Sequence, residues 1–387
     1  MKHLTTKFLV PAVLSALTVS CGSNAAKTQV NPELIEKQLQ EMTLREKVGQ
    51  LFCVRPEAFD VALEWDTYTK IATYQLQAVN EQMVKVNAEY PAGGIILFAH
   101  NIKDEPQLAA FMKDLRAFNG DPLFYVDEEG GRVARIGNNE NFQVEKFPAM
   151  GEIGKTGDSK NALRAGKVIG GYLRHYGFDV DLAPVADVNT NPKNPVIGAR
   201  AFSDNPKVAA DMVTAFLKGL DEAGVSGCVK HFPGHGDTQT DSHYGYAQTT
   251  KTWEEMLSCE MVTFKAAIKA GVPMIMTAHI GTPAITGDET PATLSPVILT
   301  DKLRNELGYK GIIITDGMAM GAITRQYNSA EAAILSLQAG ADIILGPKDF
   351  IEAFDGVLGA VENGTLSEKR IDESVRRILT LKASLRK

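Results

Sequence analysis

The stretch SPVILTDKLRNELGYKGIIITDG, residues 295–317, holds one complete unit of the fold. Ser295 and Pro296 read as an N-cap and a first-turn proline, and Gly308 sits where a helix C-cap belongs. A β-branched apolar run, Gly311 to Thr315, follows at once, too short for a helix, and then comes Asp316. A capped helix leading into an apolar strand that ends in a lone charge is half of a repeating β–α pattern.

The same rhythm runs outward in both directions. Eight apolar runs occur: VGQLFCV (48–54), GGIILFA (93–99), LFYVDEE (123–129), FDVDLAPV (178–185), GCVKHFP (227–233), VPMIMTAH (272–279), GIIITDG (311–317) and ADIILGP (341–347). Helical patterns separate them, including DNPKVAADMVTAFLKGLDEAG, whose cap is expected at Asp204. A last amphipathic segment, SEKRIDESVRRILTLKASL, has no strand after it. Near-continuous apolar strands are buried on both faces. Eight such units predict an α/β chain forming a single (β/α)8 TIM-type barrel with an extra C-terminal helix, over residues 31–387. The rival is an open doubly wound sheet, which the lack of a G-x-G-x-x-G after any strand disfavours.

The N-terminus is set apart. Residues 1–20 read as a signal peptide: Lys2 and Lys7, then FLVPAVLSALTV, an apolar run too short to span a membrane. Cys21 follows in LTVSC, which resembles the lipidated cysteine of bacterial lipoproteins, and residues 21–30 would be its tether. That resemblance implies an exported protein anchored at the cell envelope, in the periplasm or at the outer membrane; ordinary secretion is the alternative. The chain carries 40 Lys and Arg against 47 Asp and Glu, and without the leader 38 against 47, a net charge of -9. Such a balance argues against nucleic acid or a broad anionic surface as partner. Cys53, Cys228 and Cys259 form no C-x-x-C, which disfavours a disulfide framework or a cysteine zinc site and leaves one disulfide open.

In a barrel, chemistry gathers where strands end. Asp127, Glu128 and Glu129 end the third run, Lys230 and His231 the fifth, His279 the sixth and Asp316 the seventh. Charges in such apolar surroundings need partners or a task. Asp316 is open to reading as a helix cap, and Lys230–His231 as a structural ion pair with a barrel carboxylate. His100, His175 and His279 are expected to be structural. After the fifth run comes KHFPGHGDTQTDSH (230–243), with three of the seven histidines. His231, His235, Asp237, Asp241 and His243 have ligand chemistry for a metal, but neither H-E-x-x-H nor H-x-H is present.

This loop is similar to the signature of family 3 glycoside hydrolases of the bacterial β-N-acetylglucosaminidase type. GGIILFAHN, VDEEGGRVARI, FDVDLAPVADV, NPVIGARAFSDNP, MTAHI, the 291–320 block and AGADIILGP resemble successive family blocks in order. The resemblance implies a retaining, two-step hydrolysis with no cofactor and no metal ligand. Asp316 would be the nucleophile, His243 the acid/base and Asp241 its orienting partner. Asp127, Arg135, Arg200, Lys230 and His231 would hold the sugar. Arg132 is expected as buried support beside the glycines. Glu128 and Ala199 stand where the family more often has Gln and Glu, so the charge of the sugar site is expected to differ there. The implied partner is an N-acetylglucosamine-containing oligosaccharide, with a membrane only through the lipid anchor. A β-glucosidase, a metal-dependent hydrolase on the histidine loop, a sugar-binding protein without activity, and phosphate in place of water as acceptor remain the alternatives.

Overall fold

The structure is a computed structural model that describes residues 30–63, 74–238 and 247–386. Eight parallel strands form its centre: β1 (Phe52–Val54), β2 (Gly94–Ile96), β3 (Leu123–Val126), β4 (Val180–Asp181), β5 (Ser226–Phe232), β6 (Met274–Thr277), β7 (Ile312–Ile314) and β8 (Ile344–Leu345). From β1 to β7 each pairs with the next in sequence, and β1 also pairs with β8 through Phe52–Ile344 and Cys53–Leu345. An Ile314–Ile343 bridge joins β7 to the approach of β8 and closes the ring. The sheet is therefore a barrel and not an open doubly wound sheet. All residues of the eight strands are buried, as their apolar sequences require.

Strand limits depart from the sequence expectation at several places, and of the eighth run only Ile344–Leu345 is regular strand. Leu44–Gln50 takes the front of the first run into a helix, because Thr43 and Glu46 form a reciprocal capping box. The third run stops at Val126, and Glu128–Gly130 pairs antiparallel with Val133–Ala134 in a short hairpin. In the fourth run only Val180–Asp181 is regular strand.

Helices follow each strand on the outside, and Glu368–Leu385 is the extra C-terminal one. Asn205, not Asp204, caps Pro206–Ala223: its side chain accepts the Lys207 and Val208 amides, and Pro206 takes the first turn. That helix crosses Ser159–His175 so closely that a Cβ on Gly219 would stand 2.3 Å from the Leu163 carbonyl oxygen. The contact fixes the base of the segment after β4, which reaches the site. Ser295 accepts the Ile298 and Leu299 amides at the head of Val297–Glu306, as its sequence suggests.

The C-terminal helix closes the lower end of the barrel. Lys382 Nζ donates to Gln50 Oε1 (2.6 Å) and to the Gly120 and Asp121 carbonyls. Above that helix, buried Asp342 takes Arg377 (2.9 Å), Ser374 Oγ (2.6 Å), the Ile313 amide (2.9 Å) and Arg304. Cys53, Cys228 and Cys259 are free thiols. Among the described residues no helix is long and apolar enough to cross a membrane. The leader and Cys21 lie outside them.

Candidate active site

The acids after β3 divide by side. Asp127 and Glu129 face the barrel mouth, while Glu128 between them turns away, as alternation requires. Glu128 accepts the amides of Arg135 (2.6 Å), Ile136 (2.9 Å) and Gly137 (2.7 Å) and the Tyr172 hydroxyl (2.8 Å). Burial raises its pKa against those bonds. Glu128 thus pins the Val133–Gly137 turn and does not line the cavity, which corrects the expectation that it alters the sugar site. Ala199 likewise lies outside the cavity and is exposed.

Asp127 and Glu129 instead enter a chain of alternating charge. Arg135 meets Asp127 Oδ2 at 3.1 Å, and Lys230 meets Asp127 Oδ1 at 2.8 Å and Glu129 Oε1 at 2.6 Å. Arg200 grips both oxygens of Glu129 at 2.8 Å, a bidentate fork. Lys230 is only 2% exposed, so β5 carries its ammonium into the barrel and the chain must balance it. Burial opposes ionisation of Glu129, but Lys230 and Arg200 overcome it and hold the carboxyl well below its ordinary range. Asp127 is lowered too, against burial, by Lys230 and Arg135. For Lys230 burial works against the charge, and Asp127 and Glu129 outweigh it and raise its pKa. The structural ion pair considered for Lys230 exists, and the same pair faces the cavity. Arg135 Nε is buried without a hydrogen-bond partner among the described residues.

A second group surrounds His231. Its Nδ1 lies 2.7 Å from Asp187 Oδ2, and Asp187 also accepts the His231 and His235 amides at 3.2 and 2.6 Å. Asp316 follows β7, partly exposed to the same space, with the Gly317 amide on Oδ1 at 2.7 Å. Burial raises its pKa, but His231 and His279 together bring it below the ordinary carboxylate range. His279 is buried, bonded to Thr293 Oγ1 (2.9 Å) and the Gly317 carbonyl (3.0 Å), so it braces the turn after Asp316. Asp316 caps no following helix: Gly321–Thr324 has Met320 at its cap position.

These groups share a cavity of about 470 Å³ at the C-terminal end of the barrel. Asp127, Arg135, Arg200, Lys230, His231 and Asp316 all line it. Glu129, Asp187 and His235 belong to the same assembly; the sequence marks Glu129 as a strand-end acid and His235 as a candidate metal ligand, and Asp187 is not singled out there. Arg55 adds an aromatic-facing cation, 4.3 Å from the Phe98 ring on the wall. Asp241 and His243 lie outside the described residues. Arg132 is exposed and donates to the Val196 carbonyl at 2.5 Å, so it is a surface clip and not buried support. His100 is buried on Glu57 (2.9 Å) and His175 is exposed on its helix.

The root of the histidine loop is built in. A Cβ on Gly236 would stand 1.9 Å from the Val188 carbonyl oxygen. Asn194 donates to the His235 (2.8 Å) and Thr238 (3.0 Å) carbonyls. His235 Nδ1 meets Thr238 Oγ1 at 2.7 Å, and Asp237 accepts Thr249 Oγ1 at 2.8 Å. His231, His235 and Asp237 are thus committed to protein partners, and among the described residues no three His, Cys, Asp or Glu are grouped to hold a metal ion.

Comparison with known proteins gives a consistent result. The model of the glycosyl hydrolase family 3 N-terminal domain matches residues 43–381. Beta-hexosaminidase A of Pseudoalteromonas piscicida is 37% identical over 333 residues, 79% of this chain and 55% of that protein. The beta-hexosaminidase of Nitrosomonas eutropha is 32% identical, with 77% of this chain and 87% of that protein covered. A solved family 3 beta-N-acetylglucosaminidase from Paenibacillus sp. superposes with a TM-score of 0.80 at 36% identity, covering 89% of this chain and 63% of that one. The chain thus spans little more than half of the first relative and under two thirds of that solved chain.

Proposed function

This chain belongs to glycosyl hydrolase family 3, and from that premise we propose that it is a retaining exo-β-N-acetylglucosaminidase. It removes terminal β-linked N-acetylglucosamine from cell-wall (muropeptide) or chitin-like oligosaccharides. The observation that carries the reading is the convergence of Asp316 with the Arg135–Asp127–Lys230–Glu129–Arg200 chain on one cavity. Its roughly 470 Å³ suits a sugar ring with part of its leaving group. The names of the relatives support the N-acetyl sugar.

In this reading Asp316 is the nucleophile, and its lowered pKa keeps it ionised at neutral pH. One of its oxygens bonds to the anomeric carbon as the glycosidic C–O bond breaks. His243 gives its proton to the leaving oxygen. Water then loses a proton to His243 and adds to the anomeric carbon, and the ester to Asp316 breaks. Asp241 orients the imidazole. Arg135 and Lys230 donate to sugar hydroxyls, Asp127 accepts from them, and Arg135 Nε, without a partner among the described residues, offers a donor that a bound sugar oxygen satisfies. The leader and Cys21 make the protein a lipid-anchored envelope enzyme. Incorporation of labelled palmitate, lost in Cys21→Ser, is the expected mark; equal labelling of both proteins refutes the anchor.

A panel of aryl β-glycosides tests the enzyme. The N-acetylglucosaminide should be cleaved best, and Asp316→Ala should abolish turnover. His243→Ala should lose turnover, with the loss smallest on substrates with good leaving groups. Preference for the glucoside, or normal turnover by both variants, overturns the reading. Product analysis on muropeptides and chitooligosaccharides with and without phosphate identifies the acceptor; a glycosyl phosphate would replace hydrolysis by phosphorolysis.

A further inference from the structure

Among the charged groups at the barrel mouth, Asp187 has no place in the mechanism above. It is 1% exposed and, among the described residues, forms no ion pair with an arginine or lysine. Among the described residues its hydrogen-bond partners are three N–H groups from one short stretch: the His231 ring, the His231 amide and the His235 amide. Both oxygens are used, one on each end of the turn from β5 into the histidine loop.

We propose that Asp187 is a positioning residue: its one carboxylate fixes the His231 ring beside Asp316 and anchors the root of the following loop at His235. The proposal rests on the function above for the role of Asp316. Ionised Asp187 can only accept, so the 2.7 Å contact places a proton on His231 Nδ1. That assigns the tautomer and leaves Nε2, which has no hydrogen-bond partner among the described residues, as the nitrogen to meet a ligand. Burial opposes the charge on Asp187, and His231 and His235 compensate it. His231 in turn helps keep Asp316 ionised. The charged groups around this pair are Lys230 and His235 from β5 and its loop, His279 after β6, Arg200 after β4 and Asp316 itself. Asp187 lies 44 residues from His231 in sequence, so the segment after β4 controls a ring carried by β5.

The test is a double-mutant cycle of Asp187→Asn and His231→Gln, run on whichever aryl β-glycoside the wild type cleaves. A wrong sugar in the function above therefore leaves the cycle intact. Asp187→Asn is expected to lower kcat ~100-fold with KM within about threefold, the mark of a misplaced group and not of lost binding. The acidic limb of kcat/KM should move to higher pH, because Asp316 loses part of the support that keeps it ionised. On the His231→Gln background the same change should cost less than about threefold. A downfield His231 Nδ1–H resonance, absent in His231→Gln and displaced in Asp187→Asn, reads the contact without turnover. Additive losses, an unmoved pH profile or an unmoved imidazole proton overturn the proposal. If Asp187→Asn does not fold, Asp187→Glu displaces the carboxylate by one methylene; unchanged kcat and an unmoved imidazole proton in that variant overturn it equally.

Discussion

At the C-terminal end of the barrel, Arg135, Asp127, Lys230, Glu129 and Arg200 alternate in a chain. At the N-terminal end, Arg304, Arg370 and Arg377 surround a single acid, Asp342. Both networks are buried, yet their wiring differs. In the chain, each interior member has two opposite neighbours, so losing one leaves two intact pairs. In the hub, losing Asp342 leaves three guanidiniums without it at once. The hub is also saturated: both Asp342 oxygens carry two donors, and Arg304 and Arg370 spend further N–H groups on backbone carbonyls. The chain opens on a cavity and keeps a buried donor, Arg135 Nε, without a hydrogen-bond partner among the described residues. A saturated network stabilises a fold, whereas an incompletely satisfied one is set to receive a ligand.

The largest effect should fall on the hub. Asp342→Asn is expected to cost about 3–5 kcal/mol in denaturant unfolding, as for a buried charge stripped of its counter-ion. Its kcat/KM per folded molecule should stay within about twofold of wild type. Lys230→Met should show the reverse: kcat/KM on the aryl N-acetylglucosaminide falls ~10²–10³-fold, while unfolding changes less than in Asp342→Asn. If the two variants lose stability and activity in the same proportion, the contrast fails. Arg135→Met is expected to lower kcat/KM about tenfold and stability by under about 1 kcal/mol, since the arginine is partly exposed and Asp127 keeps Lys230.

The smallest effect is one of pH. Glu129 is held below its unfolded value of about 4.3, so its contribution is present above that pH and is lost as pH falls through the folded value. Stability measured by denaturant should therefore drop below about pH 4.5, and the slope should be smaller in Glu129→Gln. An equal slope in both proteins would remove Glu129 from the acid response.

Much of this was legible beforehand. The eight strands show in the sequence because burial on both faces demands unbroken apolar runs. Asp127, Lys230 and Asp316 show because each interrupts or ends such a run. Strand limits were misplaced where a local motif competed, as the Thr43–Glu46 capping box did for Leu44–Gln50. The triplet Asp127-Glu128-Glu129 carried a usable signal that went unread: alternation puts the first and third acids on one side and turns the second away. Asp187 carried a fainter one, a lone acid in APVADV.

By itself, the sequence determined the class of fold, the strands and the charges that end them, because periodicity and capping are local. Which charges meet was decided only by the tertiary structure. Lys230 finds Asp127 across 103 residues, and Asp187 finds His231 across 44. The barrel closure brings those strand ends together, and buried charge accepts only the arrangement in which every member finds an opposite neighbour.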